Sequence, residues 1–203
     1  IRICTPDTGS APRPVALFFH TGGFVFGDLD TDDPQCRYLA DKTGVIMVSV
    51  DYRLAPENKF PGAYEDAVAA WDWIVAHARE IGGDGERFGV CGGSAGGNLT
   101  ANVCRHARER GGPRPAFQCV FVGAFNVHPP VPSRAHDQGA SNADYARQLQ
   151  EAYRGSDADR GDIRYAPLIG TDYSAHPPAF ICVAECDGFC DEGKLYAQKL
   201  EAS

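Results

Sequence analysis

Long apolar runs are absent from this chain. The longest, 45–50 and 119–125, fall far short of the roughly 20 residues a membrane-spanning helix needs. No signal-like segment opens the sequence, so a soluble, cytoplasmic protein with no membrane partner is expected. Runs of basic residues are missing too. Lys and Arg number 19 against 27 Asp and Glu, a net charge of −8, and they do not gather into a stripe suited to a phosphate backbone. Nucleic acid is therefore not an expected partner. There is no internal repeat and no low-complexity tract, which excludes a repeat array. The eight cysteines include no two pairs at zinc-binding spacing. Cys186 and Cys190 are four apart with no second ligand cluster, so no metal is expected, and no other cofactor. Cys91, Cys119 and Cys182 lie inside apolar strand candidates and read as buried, reduced thiols, in keeping with a reducing compartment.

What is present is enough for one core. With 203 residues and 43% hydrophobic content, the chain 1–203 reads as a single domain. Continuous apolar runs at 15–20, 45–50, 88–91, 117–125 and 179–184 predict buried strands, with 1–6 as a short edge strand. Helical patterns fall between them. Asp33 is the expected N-cap, with Pro34 at the first helical position and Gly44 as the stop. After Pro61, Tyr64, Ala67, Val68, Trp71, Ile74 and Ala78 share one helical face until Gly82-Gly83. A third helix runs to Gly111, an amphipathic one covers 143–153, and Asp191 is the expected cap of a closing helix carrying Leu195, Tyr196 and Leu200. Strands alternating with helices predict an α/β fold on a mainly parallel sheet. His20, Ser94, Asn126 and Asp187 all follow strands, at the carboxyl edge where such sheets carry their functional groups. The polar, proline-containing stretch 126–176 lacks a strand and is expected to form a partial cap or lid insertion.

One stretch combines these signals. Gly92-Gly93-Ser94-Ala95-Gly96 places Gly-x-Ser-x-Gly between a strand and a helix, the setting of a nucleophile elbow. A sharp turn there forces unusual backbone angles on the serine, needs small neighbours, and aims a helix N-terminus at a developing oxyanion.

Four blocks carry a family resemblance: His20-Thr21-Gly22-Gly23-Phe24, Asp51-Tyr52-Arg53-Leu54-Ala55-Pro56-Glu57, the elbow through Asn98, and Asp187-Gly188-Phe189-Cys190-Asp191-Glu192-Gly193. In order and spacing the chain resembles the hormone-sensitive-lipase family of α/β-hydrolase carboxylesterases over nearly its whole length. The resemblance implies an α/β-hydrolase fold with Ser94 as nucleophile and Asp187 as the triad acid. It implies an oxyanion hole from the amides of Gly22, Gly23 and Ala95. His20 would support the glycine loop, and Asp51, Arg53 and Glu57 would hold a neighbouring loop through charged hydrogen bonds.

The sequence departs from the family's pattern in several places. Thr21 replaces a glycine, and Gly93 replaces an acidic residue before the nucleophile. The cap helices that precede Ile1 in the family, the last strands and the catalytic histidine beyond Ser203 are expected to be missing. The sheet edge this would leave is read as a surface for homodimer formation. His77 and His106 fall on helices, and His176 precedes its strand. His128 and His136 follow the strand ending near Phe125 and are the alternative source of a base, as is a histidine of a partner chain. The expected function is hydrolysis of short acyl esters of small molecules through a serine acyl-enzyme, with weak or absent activity for want of the histidine. Two readings stay open beside it. One is a non-catalytic small-molecule-binding protein on the same fold, as plant gibberellin receptors resemble this family without its catalytic histidine; the other is an inactive fragment of a complete esterase.

Overall fold

A computed structural model describes residues 1–7, 9–126, 128–135 and 143–203. The apolar runs form strands β1 (Arg2–Cys4), β2 (Arg13–Phe19), β3 (Ile46–Val50), β4 (Gly83–Gly93), β5 (Phe117–Phe121) and β6 (Ala179–Cys182). They make one sheet in the order β1-β3-β2-β4-β5-β6, antiparallel only at the β1/β3 pair. β2, β3 and the centre of β4 are buried, as continuous apolar runs require when both faces are covered. Alternation along each strand then sorts the side chains. Val15, Leu17 and Phe19 enter one core with Val48, Val90, Trp71 and Leu99, while Ala16 and Phe18 enter the opposite one with Cys36, Ala40, Met47 and Cys91.

The helices are α1 (Asp33–Thr43), α2 (Gly62–His77), α3 (Ala95–Arg110), α4 (Ala143–Tyr153) and α5 (Cys190–Glu201). Gly44 ends α1 in the left-handed region at φ 72°, its amide returning to the Ala40 carbonyl. On α2, Ala67, Trp71 and Ile74 are buried as their spacing predicts, while Tyr64 and Val68 are half-buried at the margin of that face. The helix yields at Ala78 to a short 3₁₀ turn that Gly82 closes. Parallel pairing aligns Phe19 with Gly92, Gly93 with Phe121 and Phe121 with Cys182. The loops after β2, β4, β5 and β6 therefore leave the sheet side by side.

Several expectations are corrected. Asp32, not Asp33, is the N-cap of α1, and Pro34 is the second helical residue. α5 is preceded by Phe189, so Asp191 sits within its first turn. β5 stops at Phe121 rather than 125, because Val122 and Asn126 take positive φ of 44° and 55° and break the ladder. Cys182 and Cys186 are exposed, and Cys119 is half-buried; β6 pairs only with β5 among the described residues, so its outer side is open. Arg53 does hold its loop, with Nε 2.9 Å from Asp66 Oδ2 and Nη2 3.1 Å from Glu65 Oε2. Asp51 and Glu57 are exposed, and their side chains make no hydrogen bond among the described residues. No helix among those residues is long and apolar enough to cross a membrane. They hold no cluster of metal-ligating side chains either.

Candidate active site

β4 runs straight into α3 with only Ser94 between them. That residue adopts φ 50° and ψ −115°, a conformation few non-glycine residues take. The turn is pinned on both sides: the Ser94 amide donates to the Phe121 carbonyl at 2.9 Å, and the Ser94 carbonyl accepts from Gly97 at 3.0 Å and Ala124 at 2.9 Å. Gly96 permits the turn, since a Cβ there would strike the backbone carbonyl of Phe19 on the neighbouring strand. Asn98, buried one turn into α3, donates to the carbonyls of Ala124 at 3.2 Å and Tyr165 at 3.1 Å. This ties the elbow to the loop after β5.

The loop after β2 is fixed from behind. The His20 ring is buried and stacks on Tyr52 at 4.1 Å, and its Nδ1 lies 2.7 Å from the Thr21 carbonyl. A carbonyl only accepts, so Nδ1 carries the proton. The Tyr52 hydroxyl donates to the His20 carbonyl at 2.8 Å, and Asp32 Oδ2 accepts the Thr21 amide at 2.8 Å. The Gly22 carbonyl, at φ 124°, is taken by the amides of Val25 and Phe26. The amides of Gly22, Gly23 and Ala95 have no acceptor among the described residues. Thr21 and Gly93, the two departures from the family's pattern, meet here: a Cβ on Gly93 would lie 2.8 Å from Thr21 Cγ2. The threonine methyl occupies the space a side chain at 93 would need.

Asp187 follows β6, and its Oδ1 accepts the Phe189 amide at 2.7 Å. Ser94, Gly22, Gly23 and Asp187 line one cavity of about 280 Å³. Its walls are mostly apolar, with Phe24 and Val122 from the loops and Leu149 from α4. Ala95 is buried at the start of α3, whose amides and dipole point toward the serine. A hydroxyl at such a helix start, beside uncommitted amides, suits attack on a carbonyl whose oxygen gains charge.

No described histidine lines this cavity. His77 Nδ1 lies 2.9 Å from the Trp73 carbonyl, and His106 Nε2 lies 3.3 Å from Asp72 Oδ1, both on helices as expected. His176 is half-buried beside Tyr173, and burial lowers its pKa to about 4. The alternative of His128 as the base is not met, and it stands as an exposed loop histidine: its Nδ1 lies 2.9 Å from Arg160 Nη1, and it lines a neighbouring cavity. His136 lies outside the described residues. Sequence reasoning missed Arg134 and Phe189, which line the Ser94 cavity. An arginine in a polar stretch carries no local signal of burial.

Comparison with known proteins agrees with this geometry. Residues 16–203 match the family described as alpha/beta hydrolase fold. The esterase LipI of Mycobacterium tuberculosis is 40% identical over 207 residues, covering 100% of this chain and 65% of that protein. The ethyl acetate hydrolase of Pseudomonas putida is 38% identical over 206 residues, covering 99% and 65%. The chain thus spans about two thirds of the length of these relatives. Among solved structures, the esterase of Pyrobaculum calidifontis superposes with a TM-score of 0.91 at 38% identity, over 96% of this chain and 65% of its own. With the elbow, the glycine loop and the order of the sheet all in place, the chain belongs to the alpha/beta hydrolase fold family, in the hormone-sensitive-lipase group of carboxylesterases.

Proposed function

We propose that this protein hydrolyses short-chain carboxylic esters of small molecules, with Ser94 as the nucleophile. The observation that carries this reading is Ser94 held at φ 50° on a strand-to-helix turn, opening on the cavity that Gly22, Gly23 and Asp187 share. Ser94 Oγ attacks the ester carbonyl carbon while its proton passes to a general base. Negative charge gathers on the carbonyl oxygen, where the amides of Gly22, Gly23 and Ala95 receive it; losing one such donor costs about 3 kcal/mol of transition-state stabilisation. Collapse expels the alcohol, which takes the proton, and water then attacks the acyl-enzyme to release the acid and restore Ser94. Asp187 is the carboxylate that orients the base. The small, apolar cavity favours short acyl groups, and the segment 126–176 acts as a partial cap, with Leu149 of α4 closing one wall.

No described histidine faces Ser94, and turnover is slow wherever no base is supplied. The residual catalysis left when a triad member is lost is still roughly 10³–10⁴-fold over water. The test is labelling with a fluorophosphonate probe read by mass spectrometry, alongside hydrolysis of p-nitrophenyl acetate. Modification at Ser94 and loss of turnover in Ser94→Ala are expected. Equal rates in the parent and Ser94→Ala would defeat the proposal.

A further inference from the structure

We propose that Arg134 is a positioning residue for the carboxylate of Asp187, acting through Phe189 and Glu192. The inference rests on the reading of Asp187 as the triad acid. Asp187 sits on a loop, where neither a helix nor a strand fixes its side chain, and the one hydrogen bond its carboxylate makes among the described residues is from the Phe189 amide at 2.7 Å. Whatever holds Phe189 therefore sets the aim of that carboxylate.

Arg134 holds it from above and from the side. Its guanidinium carbon lies 3.7 Å from the centroid of the Phe189 ring. In the same plane, Nε and Nη2 donate to Glu192 Oε1 at 3.0 and 2.7 Å. The two side chains are 6% and 1% exposed, so this pair is shielded from water. Glu192 Oε2 accepts the Phe125 amide at 2.5 Å, anchoring the pair to the loop after β5. The preceding residue adds a second grip. Ser133 Oγ donates to the Gly188 carbonyl at 2.8 Å, and its amide donates to Asp191 Oδ2 at 2.9 Å. The short turn Pro132–Ala135 thus clamps the Asp187 loop at 188, 189, 191 and 192. A planar fork can stack on a ring and donate twice to one carboxylate at once; an ammonium cannot.

The test uses the 203-residue chain with Arg134→Met, Arg134→Lys and the double variant Arg134→Met/Glu192→Leu. The double variant removes both charges and so avoids a buried, unpaired carboxylate that would unfold the single variant. Hydrogen exchange at the Phe189 amide, kcat and KM for p-nitrophenyl acetate, and the pH dependence of kcat/KM are measured on variants with parental circular dichroism. Phe189 exchange should rise about tenfold or more while α3 is unchanged. Where a base is supplied beside Asp187, kcat should fall about ten- to a hundredfold with KM within about twofold, and Arg134→Lys should recover part of it; where none is supplied, Phe189 exchange alone is the readout. With that base supplied, the acid limb of kcat/KM should move to lower pH, because a misaimed carboxylate stabilises the protonated base less. A folded double variant with parental kcat and parental Phe189 exchange overturns the inference. If the parent and Ser94→Ala turn over equally, the proposed function fails on its own, and the clamp is then judged by exchange alone: unchanged exchange rejects it and raised exchange retains it.

Discussion

Thr21 and Gly93 show how two single residues are coupled across the site. Each departs from the family's pattern, and the methyl of one fills the space the other leaves. Gly93→Asp alone should cost about 1–3 kcal/mol through overpacking against Thr21. Adding Thr21→Gly should restore much of that, with a coupling above about 0.5 kcal/mol in a double-mutant cycle read by urea unfolding. Additive effects would show that the two positions are independent. At His176, burial holds the imidazole pKa at about 4, well below its ordinary 6.5. The unfolded chain therefore binds more protons between these values, so this contribution is complete above pH 6.5 and is lost as the pH falls toward 4. Thermal melts across that range should show His176→Gln losing less stability than the parent. The difference should be roughly 2 kcal/mol, discounted for partial solvent access.

At the scale of elements, α4 joins the cap segment to the glycine loop. A Cβ on Gly23 would lie 2.5 Å from Leu149 Cδ1, and Tyr153 at the end of the helix stacks on Phe24 at 3.9 Å. Leu149→Ala should lengthen the cavity beside the oxyanion donors. The ratio of kcat/KM for p-nitrophenyl hexanoate over acetate should then rise about tenfold, the scale at which a hydrophobic pocket discriminates a methylene. An unchanged ratio would mean that α4 does not bound the acyl site. The amphipathic spacing of 143–153 reveals this helix in the sequence, but not which loop its apolar face meets.

Across the whole molecule, the order of the strands decides which thiols meet solvent. Cys4, Cys36, Cys91, Cys104 and Cys190 are buried, and burial pushes the Cys36 thiol up to about 12. Cys182 and Cys186, on and after the outer strand β6, are exposed. Under native conditions iodoacetamide should modify Cys182 and Cys186 first, with the buried five reacting at least roughly tenfold more slowly, read by peptide mass spectrometry. Comparable labelling of Cys91 or Cys36 would contradict the packing of both sheet faces. The sequence places Cys91, Cys119 and Cys182 alike inside apolar runs and cannot separate the central strands from the outer one.

Local signals determined much of this protein. Continuous apolar runs identify β2 and β3 because both faces of those strands are covered, and Gly-x-Ser-x-Gly between a strand and a helix marks the elbow because only small neighbours tolerate that turn. Element limits were less legible where backbone conformation overrides propensity, as at Val122, whose positive φ ends β5 early although its amide still bonds to the Cys182 carbonyl. What only the tertiary structure decided is which distant residues share a site. Tyr52 stacks on a histidine 32 residues earlier, and Arg134 pairs with a glutamate 58 residues later. Such contacts leave no periodicity in the chain, because they are fixed by the parallel order of the strands, which delivers separate loops to one edge of the sheet.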